Sequence, residues 1–208
     1  MLHVGLTGGI GCGKTTVAAM MRELGCHILE ADALAHQVIA PGGPAYEEVV
    51  HEFGGEILTP NGRVARPALA AIVFSHPDKL SRLNALVHPP LLAEIDRELA
   101  RLESADPGGV AVIDAALLIE FNHFKKLDRL VVVWCTPEQQ LARLTDPAFG
   151  RSLPREQAQS RIAAQIDLEQ KRQLADDVID CSGTIAETRR QVEALVANLK
   201  HRAASAAH

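Results

Sequence analysis

The apolar positions of this chain fall into short continuous runs, and segments of helical periodicity separate those runs. Aliphatic runs without polar alternation are typical of parallel strands that are buried on both faces. Because strand-like and helical segments alternate along the chain, we predict an α/β fold on a five-stranded parallel sheet with right-handed crossovers. The predicted strands are residues 2–6, 27–30, 110–114, 130–135 and 178–180, and the clearest helices between them are 14–24, 137–144 and 184–200.

A longer region interrupts this alternation between the second and third strands. It opens at Pro41-Gly42-Gly43-Pro44, ends near Gly109, shows helical periodicity and contains no convincing strand. One of its helices is predicted to begin at His88-Pro89-Pro90 and to run through Arg101, because proline is favourable at a helix start. We therefore predict a single domain, with a core at about 1–40 and 110–203 and an inserted helical lobe at about 41–109.

The first strand leads directly into Gly8-Gly9-Ile10-Gly11-Cys12-Gly13-Lys14-Thr15, which matches the P-loop pattern. Glycines reach backbone angles that strain other residues, so the loop can turn its N–H groups into one phosphate-sized concavity. The following helix adds its unpaired N–H groups and the positive end of its dipole. A glycine-rich turn that binds nothing is the alternative, and the strand before, the helix after and the Gly-Lys-Thr ending all oppose it. The predicted ATP-binding residues are Gly11, Cys12, Gly13, Lys14, Thr15 and Thr16.

Cys12 lies inside this loop, where the nearby helix end is able to lower the pKa of a thiol. The loop binds phosphate through backbone groups, so we interpret Cys12 as a small spacer.

Phosphoryl transfer requires a cation, a metal ion and a base in addition to the loop. Lys14 is predicted to reach the β- and γ-phosphates, and the Thr15 hydroxyl to coordinate Mg²⁺. Asp32 follows the second strand, at the sheet edge where ligands bind, so we expect it beside the P-loop as the catalytic base. It could instead cap the helix at 33–39. Asp114, which ends the third strand, is the rival base, or holds Mg²⁺ through water.

A loop containing glycine and proline, at about 145–155, follows the helix after the fourth strand. Four arginines lie in or around it: Arg143, Arg151, Arg155 and Arg161. In a nucleotide kinase such a segment is a mobile lid whose arginine meets the γ-phosphate. The alternative is that these arginines are ordinary solvated surface residues.

Composition narrows the function classes. A chain of 208 residues with a formal charge of −5 lacks the basic balance that is typical of nucleic-acid binders. Its four cysteines are scattered without metal-ligand or disulfide-framework spacing, which fits a reducing cytosol. No apolar run reaches the length of a membrane span, and no cleavable leader precedes the first strand. We expect a cytoplasmic protein that binds neither membrane nor nucleic acid.

Several separated motifs together resemble the dephospho-coenzyme A kinases, from Leu6 to about Gly183. The P-loop alone would indicate only a superfamily, whereas the set is specific. The motifs are Leu6 to Thr15; Glu30-Ala31-Asp32; Arg66 with Phe74; Val87-His88-Pro89; Leu117-Leu118-Ile119-Glu120; and Ala175 to Asp180.

This resemblance implies a P-loop kinase core with a helical CoA lobe and a lid. It also implies transfer of the ATP γ-phosphate to the ribose 3′-hydroxyl of dephospho-CoA, the last step of CoA synthesis, with Mg²⁺ as cofactor. Asp32 matches the family's proposed base, and Arg66 and His88 match positions associated with the acceptor. The substrate-binding residues implied are Thr7, Asp32, Arg66, His88 and Leu117.

The chain departs from the family pattern at three places. Ala116 stands where the family usually has proline, and Cys181 replaces an asparagine. The lid is longer and lacks the family's Arg-Asp pair, so the arginine that meets the γ-phosphate is left open, with Arg151 as the first candidate and Arg143 as the second.

Two other functions fit the P-loop. One is another small-molecule or nucleotide kinase, which would need a different acceptor pocket. The other is a nucleotide-binding regulator, although no Asn-Lys-x-Asp guanine motif occurs in the chain. The sequence leaves the oligomeric state open.

Overall fold

Five strands and nine α-helices are present in the computed structural model, which describes residues 1–119, 126–149 and 152–206. The strands are β1 (Leu2–Gly8), β2 (His27–Glu30), β3 (Val110–Asp114), β4 (Arg129–Trp134) and β5 (Asp177–Asp180). The helices are α1 (Lys14–Glu23), α2 (Ala31–Val38), α3 (Tyr46–Phe53), α4 (Arg66–Phe74), α5 (Pro77–Ala105), α6 (Pro137–Thr145), α7 (Arg155–Ala163), α8 (Leu168–Leu174) and α9 (Ile185–Ala206).

The strands form one sheet in the order β2-β3-β1-β4-β5. Strand β1 lies at its centre and pairs in parallel with β3 and β4, and β4 pairs in parallel with β5. The predicted five-stranded α/β fold is confirmed. Leu6 is opposite Asp114 and Gly8 is opposite Val133, so the carboxyl ends of three strands meet at one edge of the sheet. The P-loop follows β1 at this edge. Strands β2 and β3 lie on one side of β1 and strands β4 and β5 on the other, so the loop lies at the switch point of the strand order, where open α/β sheets bind ligands.

The central strands are buried on both faces, as their continuous apolar runs predict. Alternate residues such as Val4, Val112 and Val131 pack with α1 and α9 in one hydrophobic cluster. Residues between them, such as Ala111 and Val132, are also fully buried. This rigid core fixes the strand ends from which the site is built.

Residues 30–100 form a compact unit distinct from residues 1–29 and 101–208. This second unit contains α2, α3, α4 and most of α5. It has its own hydrophobic cluster: Val38, Ala45, Val49, Phe53, Ile57, Leu69 and Val73. No helix in the described part of the chain is long and apolar enough to cross a membrane.

Helix α5 corrects the prediction that a helix begins at His88. It starts at Pro77, and Pro89 and Pro90 lie inside it. An interior proline removes a backbone hydrogen bond and costs about 3 kcal/mol or more. Leucines on both sides of the pair, among them Leu86 and Leu91, pack against the core of the second unit. Each such side chain contributes up to about 1.5–3 kcal/mol on full burial, so packing keeps the helix continuous where local propensity alone would start it.

Candidate functional site

Two glycines give the P-loop its shape. Gly11 and Gly13 have φ angles of 84° and 99°, in the left-handed region that side-chain-bearing residues rarely adopt. The Cys12 amide donates to the Gly9 carbonyl at 3.1 Å and closes the turn. Gly13 precedes α1, and no side chain caps that helix end. The first amides of α1 are therefore available to an anion, as in other phosphate-binding loops.

An ion pair joins the loop to the end of β3. The Lys14 ammonium bonds the Asp114 carboxylate, and both side chains are largely buried. Thr15 lies exposed in the first turn of α1, next to this pair in the chain. A lysine and a carboxylate therefore meet beside the loop, and Thr15 follows the lysine in the chain, as the P-loop pattern for phosphate and metal binding requires.

Side chains from distant segments support the loop from outside. The Ile10 amide donates to Oε1 of Gln165 at 2.9 Å. Gln140 is buried against Gly9, where an added Cβ would lie 2.6 Å from Gln140 Nε2. A side chain at position 9 would therefore require the buried Gln140 side chain to shift. Sequence analysis missed both glutamines, because nothing in the local pattern distinguishes them from surface residues.

Arg143, a candidate for γ-phosphate contact, supports the loop in this structure. Its guanidinium donates to the Cys12 carbonyl at 3.4 Å and to the Cys181 carbonyl at 2.7 Å. It thereby ties the P-loop to the chain that follows β5.

We expect Arg143→Ala to raise the KM for ATP about tenfold and to lower the melting temperature, because hydrogen bonds from charged groups contribute about 1.5–3 kcal/mol. Initial rates and thermal melts measure the two effects. Arg161→Ala, which removes an exposed arginine from α7, is the matched control. A variant with normal ATP affinity and a kcat lowered by about 10³ would instead make Arg143 the arginine that meets the γ-phosphate.

The turn after β3 is held at the carbonyl of Ala116. The buried Thr7 hydroxyl donates to this oxygen at 3.1 Å, and Lys171 Nζ donates to it at 3.3 Å. Lys171 is completely buried, which is unusual for a lysine. Thr7, which was predicted to bind substrate, therefore contacts the turn that follows Asp114 in this structure. Leu117, the other substrate candidate here, is 37% exposed.

Cys12 and Cys135 are a contacting pair of free thiols, with Sγ atoms 3.3 Å apart. Their hydrogen bond, together with burial, raises the pKa of Cys12 well above its ordinary value. The helix end is therefore not the dominant influence on this thiol, whose side chain packs in the hydrophobic core. The same hydrogen bond, with Arg143, lowers the pKa of Cys135.

The second unit contains a cavity of about 600 Å³ whose lining includes two arginines, Arg63 and Arg66. Burial and then Arg66 lower the pKa of His36, which also lines it. His36 is therefore neutral near pH 7, and the arginines give the cavity positive charge. Arg66 was a sequence candidate, whereas His36 and Arg63 were missed. His88 lies half-buried on α5 and does not line this cavity.

Asp32 lies in the first turn of α2, and the N-cap of that helix is Glu30. The alternative prediction that Asp32 caps a helix at 33–39 is therefore wrong, because α2 begins at Ala31. Asp32 is exposed, and its charge partly opposes the lowering of the His36 pKa.

The dephospho-CoA kinase family model matches residues 2–187 of the chain. The chain belongs to the dephospho-CoA kinase family. A dephospho-CoA kinase from Thermobifida fusca is 43% identical over 202 residues, which is 97% of this chain and 98% of that protein. One from Symbiobacterium thermophilum is 43% identical, over 93% of this chain and 80% of that protein.

Two solved structures have a similar fold. The crystal structure of TT1252 from Thermus thermophilus has a TM-score of 0.81 and 34% identity, and the match covers 95% of this chain and 97% of that one. Dephospho-CoA kinase from Campylobacter jejuni shares the fold, with a TM-score of 0.71, 24% identity and coverage of 96% and 97%. The sequence prediction of a P-loop kinase, a transferase of the last step of CoA biosynthesis, is confirmed at the level of the family.

The segment that was predicted to be a lid, at about 145–155, is described in part. Helix α6 ends at Thr145, a 3₁₀ turn occupies Pro147–Phe149, and α7 begins at Arg155. Arg151, the first candidate for contact with the γ-phosphate, lies outside the described residues. Of the two candidate lid arginines, the structure therefore describes only Arg143.

Proposed function

We propose that this chain transfers the γ-phosphoryl group of ATP to the ribose 3′-hydroxyl of dephospho-CoA and thereby forms CoA. The observation that carries the proposal is the ion pair between Lys14 of the P-loop and Asp114 at the end of β3, in a chain that belongs to the dephospho-CoA kinase family. A lysine there reaches the β- and γ-phosphates and stabilises the charge that develops on them during transfer. Because the scattered cysteines fit a reducing compartment, we place the reaction in the cytoplasm.

We propose that Thr15 and Asp114 hold Mg²⁺, the latter through water. Hydroxyl and carboxylate oxygens are hard donors of the kind this ion prefers, and Mg²⁺ retains several waters beside nucleotide phosphates. No cluster of three or more His, Cys, Asp or Glu side chains suited to a metal occurs in the described residues. A magnesium ion shared between substrate phosphates and one or two protein oxygens needs none. When bound, it neutralises charge on the β- and γ-phosphates.

We assign the acceptor to the second unit. Dephospho-CoA carries a pyrophosphate, and the cavity lined by Arg63 and Arg66 offers two guanidinium groups, which suit phosphate oxygens. His88 remains a proposed acceptor contact from the family resemblance. Asp32 is the proposed base, since it lies two residues after β2, is exposed and does not cap α2. Its carboxylate would orient the 3′-hydroxyl and accept its proton.

A coupled assay that follows ADP release tests the activity. ATP with dephospho-CoA should give turnover, and mass spectrometry should detect CoA. A nucleoside monophosphate and a sugar alcohol serve as competing acceptors. Turnover with either of them but none with dephospho-CoA would establish a different P-loop kinase. Tight ATP binding without transfer to any acceptor would favour a nucleotide-binding regulator.

Arg66→Ala should raise the KM for dephospho-CoA about 10- to 100-fold, because the lost charged hydrogen bond contributes about 1.5–3 kcal/mol, and leave the KM for ATP nearly unchanged. Arg66 also lowers the pKa of His36. The variant should therefore raise that pKa toward its ordinary value, as measured by an NMR titration. Arg82→Ala is the control, since Arg82 forms a surface ion pair with Glu52 in the same unit. Equal changes in both KM values would contradict the assignment.

A further inference from the structure

Cys12 and Cys135 are in contact although 123 residues separate them in the chain. Their sulfur atoms are 3.3 Å apart, and both residues are fully buried. The sulfurs of a disulfide are about 2.05 Å apart, so closure needs an approach of about 1.3 Å shared between two side chains. Rotation about the two χ1 angles, together with a shift of the loop, would supply this displacement.

The two thiols belong to elements of different rigidity. Cys135 directly follows β4, which pairs with strands on both sides. Cys12 lies in the P-loop between two left-handed glycines. A bond between them would therefore tether the loop to the sheet edge, and the loop would make most of the adjustment.

We propose that Cys12 and Cys135 form a peroxide-sensitive dithiol that closes to a disulfide and reversibly inactivates the P-loop. The oxidant is hydrogen peroxide, which is little larger than water. Gly11 and Gly13, on either side of Cys12, are partly exposed, so a shift of the loop would admit this small oxidant to the two contacting sulfurs. No larger oxidant is required.

The reaction proceeds in two steps, with Cys135 as the first nucleophile. Its thiolate attacks one peroxide oxygen, the O–O bond breaks and hydroxide leaves, which makes a sulfenic acid. Cys12 then loses its proton, and its sulfur attacks the Cys135 sulfur. The S–O bond breaks, and the departing hydroxide takes the Cys12 proton to become water. Two thiols and one peroxide thus give one disulfide and two waters.

The electrostatics agree with this order of attack. The hydrogen bond with Cys12 and the Arg143 guanidinium lower the pKa of Cys135, whereas that of Cys12 is raised. A thiolate is the nucleophile in such reactions. We therefore take Cys135 as the thiol that reacts and Cys12 as the thiol that resolves, and the contact between their sulfurs gives the same disulfide for either order.

Closure should inactivate the enzyme because the phosphate cradle is made of backbone amides. A displacement of about 1 Å in a catalytic arrangement can lower the rate by about 10². Cys12 is itself part of the cradle, and its carbonyl accepts a bond from Arg143. A pull on its side chain therefore moves the groups that hold the phosphates.

In the test, the purified protein is treated with hydrogen peroxide, its remaining thiols are blocked, and it is digested with trypsin without reduction. Each cysteine lies on a different tryptic peptide: 1–14, 23–63, 130–143 and 173–189. We expect peptide 1–14 joined to peptide 130–143, and a loss of kcat/KM of about 10² that dithiothreitol reverses. Cys135→Ser should keep its own untreated activity in peroxide. Cys26→Ser, which removes a buried thiol elsewhere in the core, should remain as sensitive as the parent.

Three results would overturn the proposal. The first is a different joined pair, such as one that includes the Cys181 peptide. The second is the expected pair with unchanged activity, and the third is a Cys135→Ser variant as sensitive to peroxide as the parent. The activity measurement depends on the proposed kinase function, whereas the peptide map does not. Failure of the kinase assignment is therefore distinguishable from failure of the dithiol.

Discussion

Lys14→Ala should lower kcat for phosphate transfer by about 10² to 10³ or more, the scale on which loss of one charge-stabilising donor is measured. The Lys14 ammonium lies at the mouth of the P-loop, where it bonds Asp114. Negative charge shifts over the β- and γ-phosphates during transfer, so this cation stabilises the transition state more than bound ATP. Steady-state and single-turnover rates measure the loss.

The fold should survive the substitution, although Asp114 loses its partner and the melting temperature should fall by a few degrees. Lys200→Ala is the matched control, because Lys200 Nζ donates to the Leu24 carbonyl on exposed surface. A surface change of that kind usually alters stability by no more than about 0.5 kcal/mol. Turnover of Lys14→Ala within a few-fold of the parent would mean that this loop is not the catalytic cradle.

Asp32→Asn should bind ATP and dephospho-CoA nearly as tightly as the parent and transfer phosphate about 10² to 10⁴ times more slowly, the range typical of general acid–base groups. The amide keeps the shape of the carboxylate but cannot accept the proton of the 3′-hydroxyl. Substrate titration and single-turnover transfer separate affinity from rate.

Thermal melts distinguish this role from a structural one. Because Glu30 is the N-cap of α2, the substitution leaves the cap intact and removes only a charge near the helix N-terminus. Such a charge contributes about 0.3–1 kcal/mol. Asp78→Asn is the control, since Asp78 occupies the first turn of α5 in the same unit. If Asp32→Asn melts like the control and transfers at the parent's rate, Asp32 is not the base, and Asp114 becomes the residue to test.

The elements that carry the chemistry could be predicted because their signals are local. The P-loop can be recognised from two glycines at fixed spacing that are followed by a Lys-Thr pair. Strands β3 and β4 consist mainly of consecutive aliphatic residues, many of them β-branched. This composition is typical of strands that are buried on both faces. Their observed bounds agree with the predicted ones to within a residue. The acids at the strand ends followed from the same reasoning.

Where local propensity and tertiary packing disagree, packing decided. Pro89 and Pro90 favour a helix start, yet α5 passes through them because apolar residues on both sides are buried. Asp32 is a good capping residue, yet α2 begins one residue before it. Propensity differences are generally smaller than the free energy of burying several large side chains.

The sequence by itself determined the fold class, the phosphate loop and the family to which the chain belongs. Only the tertiary structure decided which distant residues meet around that loop. Lys14 pairs with Asp114 across 100 residues, Gln165 holds the Ile10 amide across 155, and Cys12 meets Cys135 across 123. The sheet order places β1 between β3 and β4, and this order brings Asp114 and Cys135 to the edge where the P-loop begins. Strand order depends on long-range packing of the whole chain, and no short sequence pattern encodes it.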